Sequence, residues 1–127
     1  MISLKDYKNS NNVKNLIQKM FESRQVAHNC HLQTKSYSQH KALNEYYDEV
    51  LDLIDTFVES YQGQYGIISG YEKIDVSPVP DVEVYFEDCA KIFILGRNSL
   101  KDSHLQNIMD EIVTLAYKTI YKLKNLK

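Results

Sequence analysis

Three of the four histidines, His28, His31 and His40, fall within 13 residues, and His104 stands apart. Four carboxylates follow at spacings of four, three and four: Asp48, Asp52, Asp55 and Glu59. Imidazole combined with carboxylate is a donor set for Fe(II), Mn(II) or Zn(II) rather than Ca(II). On a helix starting near Val13, His31 lies five full turns after Val13 and His28 within about 20° of Ile17. Both rings therefore continue an apolar stripe, where an imidazole needs a hydrogen bond or a metal. Two readings stay open at this point: hydrogen-bonded boundary histidines, or ligands. The carboxylates divide in the same way. Asp48 and Asp52 read as a solvated face, whereas Asp55, between Leu51 and Val58, stands at the edge of the buried one with Glu59 a turn further on.

Helices must position these groups. Val13, Leu16, Ile17, Met20, Phe21 and Ala27 repeat with the helical period. Asn11 or Asn12 can cap that start, and the spacing predicts a helix over 13–34. Leu43, Tyr47, Val50, Ile54, Phe57, Val58 and Tyr61 form the stripe of a second helix over 39–62, with Gly63 placed to end it. Residues 64–80 carry two glycines and two prolines and no helical period. Extended at about 3.3 Å per residue, they can cross from one end of a helical bundle to the other. Residues 81–95 suit a third helix between Pro80 and Gly96, although Val82 to Phe86 also alternates like a strand. Ser99 to Asp102 matches a capping box. It opens a fourth helix over 101–125 with the stripe Leu105, Ile108, Met109, Ile112, Ala116, Thr119, Ile120 and Leu123. The expectation is a single all-α domain: an antiparallel four-helix bundle with a long crossover after its second helix. Residues 1–10 are expected to be loosely held. Leu43, Val50, Ile54, Phe57, Ile108, Ile112 and Leu115 are the expected core.

Composition narrows the function. The chain has 127 residues, 15 Lys and Arg against 17 Asp and Glu, and a net charge of −2. That balance argues against a surface built for nucleic acid. No apolar run approaches the about 20 residues that span a bilayer, and residues 1–12 do not read as a secretory signal. Cys30 and Cys89 form neither a metal pattern nor a disulfide framework and read as buried thiols in a reducing compartment. The Glu-x-x-His pairs of di-iron bundles are absent, since Glu22 to His28 has a different spacing. A magnesium-dependent nucleotide hydrolase built on Asp48, Asp52 and Asp55 would need carboxylates from a second helix, and the first helix offers only Glu22.

The run His28-Asn-Cys-His31, followed by His40 and by Asp55-x3-Glu59 fifteen residues beyond it, resembles the signature of the Dps branch of the ferritin superfamily. The resemblance covers residues 20–62. It implies a ferritin-like fold and a subunit pair related by a two-fold axis, with histidines of one subunit meeting the Asp and Glu of the other. It further implies Fe(II) binding and oxidation, with His31, His40, Asp55 and Glu59 as ligands and His28 as a further candidate. This sequence departs from the family in several places. Leu32 replaces an aromatic residue, the interval from His31 to His40 is shorter, and Asn44 stands where a carboxylate is frequent. The basic tail that binds DNA in some members shrinks to Lys5 and Lys8. The stretch from His31 to Gly66 is also similar to small proteins of tailed bacteriophages. The competing expectation is thus a non-enzymatic structural or assembly protein of a phage particle. Either reading implies a homo-oligomer in the bacterial host cytoplasm or in the virion, phage structural proteins being the other candidate partners.

Overall fold

The computed structural model describes residues 1–127, and the chain is all-α. It forms five helices: α1 (Leu4–Asn9), α2 (Val13–Gln33), α3 (Tyr37–Tyr65), α4 (Val82–Ser99) and α5 (Ser103–Asn125). Asn12 starts α2 by accepting the Asn15 N–H at 2.8 Å, and Ser36 starts α3 by accepting the Gln39 N–H at 3.2 Å. The Asp81 carboxylate takes the free N–H groups of Glu83 and Val84 at the head of α4. Residues 82–86 are therefore helical, and the strand alternative is excluded.

The four long helices pack as two hairpins, α2 on α3 and α4 on α5, with α3 also against α5 and α2 against α4. Side chains fix their directions. Lys122 pairs with Glu45, and Lys124 with Glu87 at 2.6 Å, so the end of α5 lies beside the starts of α3 and α4. Gln64 and Tyr65 both donate to Asp102, so α3 ends beside the α4–α5 turn. Segment 66–81 then runs back along α2. Gly70 O accepts from Lys14, the Glu72 N–H donates to Gln18 at 2.8 Å, and Val76 to Val79 reach Val26, Cys30 and Gln33.

The core is a single cluster in which Leu16, Ile17, Met20, Leu43, Tyr46, Ile54, Phe57, Phe86, Ile92 and Phe93 are fully buried. Each such aliphatic or Phe side chain contributes about 1.5–3 kcal/mol on leaving water. Tyr46 keeps its polar end satisfied by sharing a 2.7 Å hydrogen bond with Ser23, which donates to Met20 O. Leu43, Val50, Ile54, Phe57, Ile112 and Leu115 are core as expected, and Ile108 is only half-buried at its rim.

Several boundaries differ from the sequence reading. Gly63 lies inside α3, and the chain leaves that helix at Gly66, whose φ of 98° suits glycine. Gly96 lies inside α4, where a Cβ would stand 2.5 Å from Leu16 Cδ1. That glycine serves helix contact rather than helix ending. The capping box at Ser99 does not form, because Ser99 is the last residue of α4 and donates to Leu95 O. Asp102 becomes the α5 cap residue without a capping bond, its carboxylate being taken by Gln64 and Tyr65. The segment expected to be loose holds α1, closed by a reciprocal Ser3–Asp6 capping box and anchored by the buried Tyr7. The expected buried thiols differ from each other: Cys89 is buried and Cys30 half-buried.

Candidate metal centre at the α2–α3 turn

Only Thr34, Lys35 and Ser36 separate α2 from α3. Thr34 donates to Gln39 and accepts the Ser36 N–H, which tightens the turn. The short connection brings His31, in the last turn of α2, against His40, in the first turn of α3. Their rings stack at 3.6 Å with an interplanar angle of 18°. His31 Nδ1 lies 2.7 Å from His40 O, and His40 Nδ1 lies 2.7 Å from His31 O. A carbonyl oxygen only accepts, so each Nδ1 carries a proton and donates. In the neutral ring this leaves the Nε2 lone pair free. A backbone carbonyl on Nδ1–H is the usual support for a metal-binding imidazole, since it sets the tautomer and the ring plane.

His28 extends the cluster. It stands 5.9 Å from His31 and stacks on Tyr47 at 4.1 Å, nearly parallel. The Tyr47 hydroxyl donates to Asn44, whose amide donates to Asp48 at 2.9 Å. Asn44 thus links Tyr47 to Asp48. His31 is buried and His28 and His40 are half-buried, so the cluster lies at the boundary between core and solvent. Leu32 and Tyr37 flank it with about three-quarters of their surface in water: 70% and 74% exposed.

The carboxylates lie elsewhere. Asp55 and Glu59 are exposed on the outer face of α3. Fifteen residues separate His40 from Asp55, about 22 Å along a helix. One chain therefore brings His31, His40 and His28 together and leaves Asp55 and Glu59 apart. It assembles no group of three His, Cys, Asp or Glu side chains in metal-binding geometry. His104 is exposed at the head of α5, at the end of the molecule where α3 finishes. Tyr47 went unrecognised in the sequence as a partner of the histidines, although its place two turns after His40 puts it on the same side of α3.

A second polar cluster was also missed. Lys19 and Glu22 form a buried ion pair at 2.5 Å. Glu22 further accepts from the Ile2 N–H at 2.8 Å and the Tyr85 hydroxyl at 2.7 Å, while Lys19 donates to Ile2 O at 2.7 Å and lies 4.7 Å above the Tyr85 ring. Burial, together with the neighbouring Cys89 and Glu22, pushes the Tyr85 hydroxyl well above its ordinary pKa. Burial likewise raises the Cys89 thiol to about 12. Neither group ionises near neutrality.

The site is a paired-histidine turn in an all-α protein with no helix long and apolar enough to cross a membrane. Comparison with known proteins gives the lineage. A family model described as a family of unknown function (DUF5856) matches residues 31–123, and the chain belongs to that family. An uncharacterized 14.6 kDa protein from the mobD–ri intergenic region of Enterobacteria phage T4 is 32% identical over 98 residues, covering 76% of this chain and 75% of the phage protein. The expected likeness to small phage proteins is therefore found, while the Dps resemblance rests on the motif residues alone. No solved structure matches.

Proposed function

We propose that the protein binds Fe(II) through His31 and His40 of one subunit and Asp55 and Glu59 of a two-fold mate. In this reading the helices form a four-helix bundle with a ferritin-like crossover, and the iron is a substrate that gives up an electron to dioxygen at the site and becomes Fe(III). The observation that carries it is the reciprocal Nδ1–H to carbonyl pairing of His31 and His40, which leaves both Nε2 atoms available in fixed, adjacent rings. Two imidazoles and two carboxylates suit Fe(II) or Zn(II). The exposure of Asp55 and Glu59 and their distance from the histidines within one chain favour a site completed in trans. His28, stacked on Tyr47, buttresses the pair from the α2 side. Iron must compete with protons for the two Nε2 atoms, so affinity falls on acidification.

Anaerobic titration with Fe(II) and Zn(II) tests the reading, comparing wild type with His31→Ala, His40→Ala and Asp55→Ala. Wild type is expected to bind more tightly than all three, and Fe(II)-dependent oxygen uptake is expected to follow the same order. Equal binding by all four proteins would sink it.

A second reading, a non-enzymatic structural or assembly protein of a phage particle, draws on the exposed aromatic residues. Tyr37, Tyr65, Tyr117 and Tyr121 each leave half or more of their surface in water. Under that reading the titrations give no specific binding, and the chain acts in the virion or in host-cell assembly.

A further inference from the structure

The first ten residues are attached to the molecule differently from the four long helices. Their backbone hydrogen bonds stay among themselves: the Tyr7 N–H donates to Ser3 O at 3.0 Å, and the Ser10 N–H to Asp6 O at 3.1 Å and Tyr7 O at 3.2 Å. A helix as short as α1 has little stability of its own, since isolated helices below about 12–15 residues are marginal in water. Docking holds it. Tyr7 is buried, Met1, Ile2 and Leu4 pack against the edge of the core, and α1 lies on α4. Ser10, Asn11 and Asn12, which join α1 to α2, are exposed.

The buried polar attachment falls on one residue. Glu22 takes the Ile2 N–H at 2.8 Å, and Lys19 donates to Ile2 O at 2.7 Å. The two members of one ion pair thus hold both backbone groups of a single residue, as a neighbouring antiparallel strand would. The other ties, the Met1 amine on Asp75 and the Asn15 amide on Ser10 O, both at 2.7 Å, lie at the surface, where an ion pair contributes little.

Release of this segment strands no charge. Lys19 and Glu22 still have each other at 2.5 Å, and the Tyr85 hydroxyl still donates to Glu22 at 2.7 Å. Water replaces the two Ile2 groups. The packing of α2 on α3, α4 on α5, α3 on α5 and α2 on α4 involves no residue of the segment.

We propose that residues 1–9 form a strap, latched at Ile2 by Lys19 and Glu22, that leaves and redocks as one unit while α2 to α5 stay packed. Ser10 to Asn12 are its hinge. Openings of this kind lie between fraying and global unfolding in free energy. The released state uncovers the Lys19–Glu22 pair, the Tyr85 hydroxyl and the apolar seat of Tyr7, a surface that the docked strap keeps closed. The device is independent of the histidine turn: Lys19 and Glu22 each stand nine residues before a histidine, His28 and His31, which is half a turn out of phase on α2.

Native-state hydrogen exchange of the full chain in low urea, read by NMR, tests the strap. The Asp6, Tyr7 and Ser10 amides are expected to share one opening equilibrium. It should be at least about tenfold more populated than the opening that exposes the amides of Ile54, Phe86 and Ile112, and less dependent on urea because it uncovers less surface. Ile2→Pro deletes the N–H that Glu22 holds and alters no contact between the long helices. It should speed exchange at Tyr7 and Ser10, at the far end of the strap, by about tenfold or more, while far-UV circular dichroism shows the long helices intact. Tyr7→Ala, which empties the apolar seat, should speed exchange at Asp6 and Ser10 in step. Loss of the long helices in either variant overturns the proposal, since the strap would then be part of the cooperative core. Strap amides that exchange only together with those of the bundle, or that respond to Ile2→Pro separately from one another, overturn it as well.

Discussion

Two polar clusters lie on opposite sides of α2, and they treat their hydrogen-bonding capacity differently. At Lys19 and Glu22 everything is used within the chain: both charges meet each other, the Ile2 backbone and the Tyr85 hydroxyl. At the α2–α3 turn capacity is left over, in the two Nε2 atoms that the stacked histidines do not use. A closed network specifies the fold, because removing any member strands another below the surface. An open one points to something outside the chain. The contrast also warns against reading charge alone: the more deeply buried ion pair is the structural one.

Breaking the closed cluster should have the largest effect. Glu22→Ala leaves Lys19 buried and uncompensated, and urea unfolding should show a loss of about 3–5 kcal/mol. The same change at Asp55, which is exposed, should cost no more than about 0.5 kcal/mol. Tyr85→Phe removes one hydrogen bond to a carboxylate and should cost about 1.5–3 kcal/mol. His40→Ala, in the open cluster, should cost only about 1 kcal/mol in the same assay while abolishing the metal binding proposed for the turn. A loss as large as that of Glu22→Ala would make the histidine pair a structural network after all. The smallest effect concerns Asp102, whose carboxyl is held below its ordinary 3.8, first by Tyr65 and then by Gln64. A carboxylate with a depressed folded value stabilises above the unfolded value and loses that contribution as pH falls. Asp102→Asn should therefore flatten the decline in stability below pH of about 4, seen as melting temperature against pH.

Much of this was legible in residue order. Four apolar stripes gave four long helices, because a helix must bury one face wherever it packs. The glycines misled for a physical reason. Propensity alone makes Gly63 and Gly96 helix ends, yet Gly96 is needed where Leu16 of α2 presses on α4, a contact between residues 80 apart. α1 escaped notice since six residues are too few to show a period. Of the site, the types and spacing of His31 and His40 were readable, but their stacking follows from a three-residue turn whose tightness only the folded chain displays. Nothing in the residue order marks Lys19 and Glu22, three residues apart on α2, as a buried pair. Their burial depends on the N-terminal segment lying across them, which no local pattern announces.

The connection from Gly66 to Asp81 has a kinetic consequence. Before it lie the contacts of α2 with α3, and after it those of α4 with α5, each closed by a turn of a few residues. Each hairpin can form from neighbours in sequence, with little loop entropy to overcome. The linker itself donates few backbone hydrogen bonds and is exposed along most of its length. It acts as a tether that raises the local concentration of one half around the other. A chain cut within it should still yield two pieces able to find each other and dock, more slowly and in proportion to their concentration.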